Sequence, residues 1–265
     1  MKVHRMGMRA LGLLSMYVAT LAVYAPTVSA QSIASRVARV KDGTVRMAFA
    51  SRPDVCGNGR GSINTNNWRG DSKHHDEWTD ECEPGPVRVA IDVADGHALA
   101  IRTYVGGKWR AAGDATDLGT VPVREAVDYL LGPVVKDGGK AARDAIFPAT
   151  LADSVITWPR LLVIARDDSH EKGVRTQAVF WVGQQAGEKS AEGLRGVADD
   201  VGTDKEVRLS AVFAISQRRD EGVPMLIDIA KTSKSGDVRK QAMFWLGQSH
   251  DKRALDYFES VLVKK

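Results

Sequence analysis

A segment of eleven residues occurs three times in the C-terminal half of the chain, and this repeat restricts the possible folds more than any other feature of the sequence. Its copies start at Val174, Val207 and Val238, which are 33 and 31 residues apart. Within each copy the apolar residues have a helical period, and a second amphipathic segment precedes each copy. A helix pair of this length cannot bury its apolar face alone, so successive pairs must stack and share a core.

The repeat continues in a weaker form on both sides of these copies. Phe147 stands 33 residues before Phe180, which predicts an atypical opening repeat from about residue 121. After the last copy, the spacing of Leu255, Phe258 and Leu262 predicts a closing helix. We therefore assign residues 121–265 to one helical domain.

Residues 31–120 show the period-two alternation of strands instead. A strand is predicted around Val45, Met47 and Phe49, and a β-hairpin by the segments Val87–Val93 and Leu99–Val105. We predict a bulged connection, Asp95-Gly96-His97, because only an odd number of residues puts Val93 and Leu99 on one face. The same register places Ile91 beside Ile101. The predicted fold class is therefore α+β, a small antiparallel β domain followed by helical repeats.

The first thirty residues are typical of a secretory signal. Three basic residues precede an apolar segment that ends at Val28-Ser29-Ala30, so we predict cleavage before Gln31. The alternative, an uncleaved membrane anchor, would need a longer apolar run than one containing Thr20 and Pro26. We expect a mature protein without a membrane span, located in the periplasm or outside the cell.

Cleavage at that point would nearly cancel the net charge. The chain has 37 basic and 33 acidic residues, and 34 of the basic ones lie after residue 30. Nucleic acids and anionic membranes attract clustered excess Lys and Arg. Because the mature chain has no such excess, we expect neither of them as a partner.

Cys56 and Cys82 are the two cysteines of the chain. In an oxidising compartment, an even pair of cysteines predicts a disulfide before a catalytic or metal site. The 25 residues between them are rich in Gly, Asn and Asp and have almost no aliphatic side chains. Loop closure would stabilise such a region by about 3 kcal/mol, so we predict a bridge.

The second helix of each pair follows acidic turn residues and has the pattern Val-Arg-x-x-Ala-x-x-x-Leu-Gly, seen in full at Val238–Gly247. This pattern resembles the second helix of HEAT repeats, particularly the short bacterial type grouped with phycobilisome-lyase HEAT-like repeats. The resemblance implies a right-handed α-solenoid that binds other proteins. It implies no lyase activity, because the chain has no matching bilin-site motif, and it does not extend to residues 31–120.

Equivalent residues of stacked repeats form rows along the second helices. We interpret Arg175, Arg208 and Arg239 as structural, each bonding an acid or carbonyl of its own or the adjacent turn; an anion-binding strip is the alternative. Two further rows contain the predicted partner-binding residues Phe180, Phe213, Phe244, Trp181 and Trp245, with Ala214 replacing the middle tryptophan. Adjacent helix residues point about 100° apart, so the Phe and Trp rows cannot face the same way. Complete burial of both rows is the alternative.

Alanines form another row, Ala178, Ala211 and Ala242, which we place in the core. We expect Ala191, by contrast, to be exposed. Gly57, Gly59 and Gly61 are spaced two apart, but they follow a cysteine in a loop and do not indicate a phosphate-binding helix start.

Two other functions stay open. The cluster His74-His75-Asp76-Glu77 could supply metal ligands, which would make residues 56–82 the centre of a metal-dependent binder or an enzyme. Alternatively, exposed indoles of Trp68, Trp78 and Trp109 could stack on envelope carbohydrate. His170-Glu171 lacks the second histidine of a zincin helix, and no Gly-x-Ser-x-Gly motif is present. We therefore predict no catalytic residue, metal or cofactor, and a non-enzymatic scaffold for another protein.

Overall fold

The computed structural model describes residues 1, 31–65, 82–185, 187–218 and 220–263. Residues 31–265 form one compact unit, in which strands and helices contribute to a single cluster of buried apolar side chains. The domain boundary near residue 120 stays a prediction. Most of the predicted signal, the His74–Glu77 cluster, Trp68 and Trp78 lie outside the described residues. Among the described helices, none is long and apolar enough to cross a membrane.

The described N-terminal part consists of short strands after one helical turn and a half. The elements are α1 (Ile33–Val37), β1 (Asp42–Phe49), β2 (Val55–Gly57), β3 (Ile63–Thr65), β4 (Glu83–Pro84), β5 (Val87–Ala94), β6 (His97–Val105) and β7 (Thr116–Thr120). A four-stranded sheet has the order β6-β5-β1-β7, and a smaller sheet has the order β3-β2-β4. Because β7 runs parallel to β1, the larger sheet is mixed rather than wholly antiparallel as predicted.

The predicted strand at Val45, Met47 and Phe49 is present as β1, and all three side chains are fully buried. They share one face because alternate residues of a strand point the same way. On the neighbouring strand β5, Val87, Val89 and Ile91 are buried as well. The larger sheet therefore supplies one side of the core.

The hairpin between β5 and β6 has a tighter turn than predicted. Ala94 pairs with His97, so the connection is the two-residue turn Asp95-Gly96. Both residues have positive φ, 49° and 80°. This geometry matches the twist of the strands, and it is the reason Asp-Gly is a common hairpin turn.

The alternation of apolar residues requires one extra residue between Ile91 and Ile101, and this residue lies inside β6 rather than in the turn. The register shifts between Asp92, which faces Ala100, and Val93, which faces Ala98, so Leu99 is left unpaired and is 55% exposed. The predicted pairing of Val93 with Leu99 was therefore wrong. The bulge nevertheless restores Ile91 opposite Ile101, because one extra residue anywhere between them has the same effect on the register.

The predicted disulfide is confirmed. Cys56 of β2 is bonded to Cys82, and their Cα atoms lie 5.2 Å apart. The bridge holds β2 beside β4, which begins at the next residue and pairs with β2 in antiparallel fashion. A disulfide is compatible with an exported protein.

The spaced glycines let the small sheet approach the end of β6. Gly59 has a φ of 69°, and a Cβ at this position would lie 2.7 Å from the Cα atom of Gly107. Gly61, two residues later, has open space around it. Position 59 therefore requires glycine because the backbone packs closely there, which agrees with the sequence argument against a phosphate site.

The chain after residue 120 is helical and contains the predicted repeats. The helices are α2 (Val123–Tyr129), continuing through a π-helical segment (Leu130–Val134) into α3 (Val135–Asp137), then α4 (Gly139–Thr150), α5 (Trp158–Arg166), α6 (Lys172–Gly183), α7 (Glu188–Asp199), α8 (Lys205–Ser216), α9 (Gly222–Thr232), α10 (Gly236–Gln248) and α11 (Lys252–Val263). The repeated segment forms α6, α8 and α10. The amphipathic segments before it form α5, α7 and α9, so the helical repeats are confirmed.

Each helix pair packs internally and against its neighbours. The pairs are α5 with α6, α7 with α8, and α9 with α10, while α4, α6, α8 and α10 pack side by side in chain order. The alanine row of Ala178, Ala211 and Ala242 is fully buried between these helices. Ala191 is buried too, so the prediction that it is exposed was wrong. The α-solenoid arrangement stays a prediction.

The closing helix is confirmed as α11, and of its three predicted apolar residues Phe258 packs against the core. Ala254 and Tyr257 are buried, whereas Leu255 is 59% and Leu262 is 78% exposed. The apolar pattern of this helix occurs once in the sequence, so the spacing of large apolar residues alone did not determine which side of the helix is buried.

An exposed ion pair between His97, the first residue of β6, and Asp137, the last residue of α3, joins the hairpin to the helices and can be tested. His97 Nδ1 lies 3.0 Å from Asp137 Oδ2, and this hydrogen bond raises the pKa of His97. Because the pKa of His97 is higher in the folded protein than its unfolded value of about 6.5, the ion pair stabilises the fold fully at pH values below the unfolded pKa. This contribution is lost as the pH rises through the folded pKa. We expect Asp137→Asn to lower the His97 pKa in an NMR titration of the imidazole. Equal pKa values in the two proteins would exclude the pair in solution.

Candidate functional site

The arginine row makes contacts within the fold. Arg175 is almost fully buried and forms an ion pair with Asp204, the acid in the turn before α8. Arg239 donates a hydrogen bond of 2.7 Å to the carbonyl of Ser233, in the turn before its own helix. The Nε of Arg208 is buried and has no hydrogen-bond partner. Arg175 thus connects two repeats.

Exposed ion pairs connect the same helices near their N-terminal ends. Lys172 Nζ lies 2.8 Å from Glu206, and Lys205 Nζ lies 3.0 Å from Asp237. The hydrogen bond to Glu206 raises the pKa of Lys172, and the one from Lys205 lowers the pKa of Asp237. These charges are paired with each other across neighbouring repeats.

The aromatic rows form two clusters on the second helices, which together we call the aromatic strip. In the first cluster, Phe147 stacks on Trp181 at 4.8 Å between ring centroids, and Phe180 meets Trp181 edge-on at 5.1 Å. In the second cluster, Phe213 and Phe244 each lie 5.0 Å from Trp245. Each tryptophan therefore covers the phenylalanine of the preceding second helix and lies where two repeats are in contact.

The phenylalanines of the strip reach solvent. Phe180 is 38% and Phe244 is 54% exposed, while Phe213 is half-buried. Complete burial in the core, the alternative interpretation, does not describe Phe180 or Phe244. Both tryptophans are half-buried, and their indole Nε1 atoms have no hydrogen-bond partner.

Ala214 divides the strip into its two clusters. It occupies the slot that a tryptophan has in the neighbouring repeats, and a Cβ added to Gly183 would lie 2.8 Å from the Ala214 Cβ. Helices α6 and α8 are therefore too close at this point for an indole. As a result, Phe180 lacks the covering ring that Phe147 and Phe213 have.

A cleft adjoins the first cluster. It has a volume of about 500 Å³, and its lining includes Ile63 of β3, Ile101 of β6, Phe147 and Trp181. Ile63 was not predictable from the sequence, because a strand of three residues shows no alternation. Phe147 was recognised as part of an opening repeat, and its position 33 residues before Phe180 was the signal for its place in the strip.

Neutral and charged side chains border the strip along the helices. Three residues before the phenylalanines of α6, α8 and α10 stand Gln177, Ser210 and Gln241, and four residues after them stand Gln184, Gln217 and Gln248. Lys240 stands four residues before Phe244, and Arg143 and Asp144 line the cleft beside Phe147. Residues at spacings of three and four lie beside one another on the helix surface, so the strip combines exposed aromatic rings with amide, hydroxyl and charged groups.

The carbohydrate alternative can be assessed at Trp109. This half-buried indole lines a cleft on the outer face of the larger sheet. The Arg46 guanidinium lies over the ring, 4.8 Å from its centroid, and Tyr104 meets it edge-on at 5.9 Å. Because Arg46 already occupies one face of the indole, stacking of a sugar there would have to displace a cation–π contact.

The alternative function as a metal-dependent binder cannot use the two cysteines as thiolate ligands. Cys56 and Cys82 are bonded to each other and cannot ligate a metal in this state. Within the described ranges, no group of three or more His, Cys, Asp or Glu side chains is placed to hold a metal ion.

No protein-family model matches the chain, and no curated protein matches it.

Proposed function

We propose that the protein is a non-enzymatic scaffold that binds another protein through the aromatic strip. The observation that carries this proposal is the exposure of Phe180 and Phe244 on second helices that pack side by side. Grouped exposed apolar side chains mark interaction surfaces, and aromatic residues supply much of the energy at such sites.

The proposal includes the architecture and the compartment. We assign the helix pairs to a HEAT-like α-solenoid, supported by the repeated pattern and by second helices that pack in chain order. We place the protein in the periplasm or outside the cell, with a cleaved signal, supported by the disulfide and by the pattern of residues 1–30. Neither alternative function has an observation in its favour at the described residues.

Replacing Phe244 separates binding from stability. At 54% exposure the ring contributes far less to folding than a buried phenylalanine, whose loss costs about 3–5 kcal/mol. We expect Phe244→Ala to melt close to wild type but to bind its partner about 30-fold more weakly, the effect of a hot-spot loss of about 2 kcal/mol.

The measurement is affinity capture from the native envelope fraction, with quantified recovery and a thermal melt of each bait. Val163→Ala is the control, because Val163 is 66% exposed on α5, a first helix, and lies apart from the strip. A protein retained by wild type and Val163→Ala but lost with Phe244→Ala is the expected result. Recovery of every captured protein by a well-folded Phe244→Ala bait would remove the strip from the interface.

A further inference from the structure

Three neighbouring clefts form one groove beside the first cluster of the aromatic strip. The two larger clefts have volumes of about 500 and 420 Å³, and both are lined by Ile63, Phe147 and Trp181. A small third cleft shares Thr65 and Trp181 with the second one. Because each cleft shares residues with the next, they form a continuous groove between β3 on one side and helices α4 and α6 on the other, which we call the β3 groove.

The β3 groove runs along the edge of the small sheet. The consecutive residues 62–65 all line its second cleft. Alternate side chains of a strand point to opposite faces of a sheet, so a cleft that touches all of these residues must pass along the strand edge. The strand wall, residues 61–65, is about 13 Å long, and the helical walls, residues 143–150 and 177–184, are about 11 Å long. An extended segment of about four residues has the same length.

The edge of β3 has unpaired backbone groups. Among the described strands, β3 pairs only with β2. Asn58 donates a backbone hydrogen bond to the carbonyl of Ser62, and hydrogen-bonded pairs alternate with non-hydrogen-bonded pairs along an antiparallel ladder. By this alternation Asn64 bonds to β2, whereas the N–H and C=O groups of Ile63 and Thr65 point away from it. No described residue forms a hydrogen bond with these outward groups.

The unpaired edge favours a partner segment in the extended conformation. Strand edges bind extended chains, which add a further strand through main-chain hydrogen bonds. An α-helix satisfies its own backbone groups and cannot form these bonds. Alternate side chains of the added strand would point toward the rings of Phe147 and Trp181, which favours apolar residues at every second position.

The charges at the Gly61 end of the groove are already paired. Arg143 Nη1 lies 3.3 Å from Glu171 Oε2, and Asp144 forms an ion pair with Lys140, one turn earlier on α4. These two acids and two bases sum to zero charge. This end of the groove therefore does not select the charge of a partner.

Arg52 gives the Thr65 end of the groove an available positive charge. Its Nε lies 3.7 Å from Asp54 Oδ1, but the guanidinium donates no hydrogen bond to any described residue. Only its Nε is buried without a partner, so the two Nη atoms are free to donate. A carboxylate accepts a bidentate pair of hydrogen bonds from a guanidinium. An acidic side chain of the segment is therefore favoured at this end.

We propose that the β3 groove binds an extended segment of the partner protein, which adds as a strand to the free edge of β3. The segment has apolar side chains at alternate positions, packed on Ile63, Phe147 and Trp181, and an acidic side chain at Arg52. This inference rests on the proposed function, because Phe180 and Trp181 of the aromatic strip also line the groove. It specifies the conformation and the charge of the bound segment.

The test selects peptides from a phage-displayed library of random heptapeptides on the mature, oxidised protein. We expect enrichment of sequences with Val, Ile or Leu at alternate positions and Asp or Glu toward one end. Binding of an enriched peptide, labelled with fluorescein, is then measured by fluorescence anisotropy. Arg52→Gln should weaken binding about tenfold, because a charge-assisted pair is lost. Arg124→Gln, which removes an exposed arginine of α2 outside the groove, should leave binding unchanged.

Replacing the acid of the peptide by its amide identifies the contact with Arg52. We expect about tenfold weaker binding to wild type and no further loss with Arg52→Gln, because both changes remove the same interaction.

Two further changes test the addition of a strand. Thr65→Pro removes an outward N–H group without removing a bond to β2, so it should weaken binding at least about threefold. Thr65→Val keeps this group and should bind the peptide like wild type. In the peptide, N-methylation of alternate residues blocks one edge of the strand. Of the two alternately methylated peptides, we expect one to bind and the other not to bind.

Several results would overturn the inference. They are a selection without enrichment, enriched sequences that lack an acid, equal binding by Thr65→Pro and Thr65→Val, or equal losses in Arg52→Gln and Arg124→Gln. Thermal melts of each variant ensure that a loss of binding is not unfolding.

Phe244 separates this inference from the proposed function. It lies outside the groove, so Phe244→Ala should bind the peptide like wild type. If the peptide results fail while envelope capture still depends on Phe244, strand addition is wrong and protein binding by the strip stands. If the peptide results hold while capture does not depend on Phe244, the groove stands and the proposed role of Phe244 is wrong.

Discussion

We expect Gly59→Ala to lower the free energy of unfolding by about 2–4 kcal/mol, because Gly59 lies against Gly107 and has a positive φ. The new Cβ would stand 2.7 Å from the Gly107 Cα atom, and the φ of 69° is unfavourable for any residue with a side chain. Both obstacles are in the backbone, so a rotamer change cannot relieve them. Urea denaturation of the oxidised protein measures the effect.

Gly61→Ala is the matched control for this substitution. It lies in the same loop, has no atom within 4 Å of the new Cβ and has no positive φ, so we expect an unchanged midpoint. Equal midpoints for the two variants would show that the small sheet does not sit against the end of β6.

Ala211→Leu should cost about 3 kcal/mol, near the upper end of the range for overpacking. Ala211 is fully buried on α8, which has α6 on one side and α10 on the other, so neither neighbour can move without disturbing a further repeat. Ala191 cannot be the control because it is buried. Glu192→Leu on α7 adds a leucine at an exposed helical position and should leave the melting temperature nearly unchanged. Equal melting of Ala211→Leu and wild type would mean that α8 is rotated.

The helical repeats were predictable because the same pattern of apolar residues occurs three times in the sequence. Val174, Val207 and Val238 are all fully buried, as one periodic pattern in register requires. In α11 the apolar pattern occurs once, and it did not determine which side of the helix is buried. Leu255 and Tyr257 both suit an inner face of α11, and only packing against α9 and α10 decides between them.

The hairpin shows a different limit. The alternation fixes that one extra residue lies between Ile91 and Ile101, but not which one, because parity is unchanged by its position. The preference of Asp95-Gly96 for a two-residue turn then moved the bulge to Leu99.

The candidate site was predictable as a set of residues but not as a surface. The 100° rule separates Phe180 from Trp181 without saying which faces solvent. The answer depends on contacts with neighbouring helices: Trp181 covers Phe147, whereas the Gly183 and Ala214 contact leaves Phe180 uncovered. Ile63 could not be found, since its proximity to the strip depends on how the small sheet folds back.

The ion pairs between repeats bear on how such a chain can change its length. The ion pairs of Lys172 with Glu206 and of Lys205 with Asp237 join a second helix to the first turn of the next second helix, and the same repeat positions supply both pairs. A duplication of the α7–α8 repeat within the gene would therefore recreate these pairs at the new junction without compensating substitutions, because that repeat has both Lys205 and Glu206. It would also lengthen the aromatic strip by one helix spacing. The length of the aromatic strip can thus change in unit steps, independently of the sheet and its disulfide.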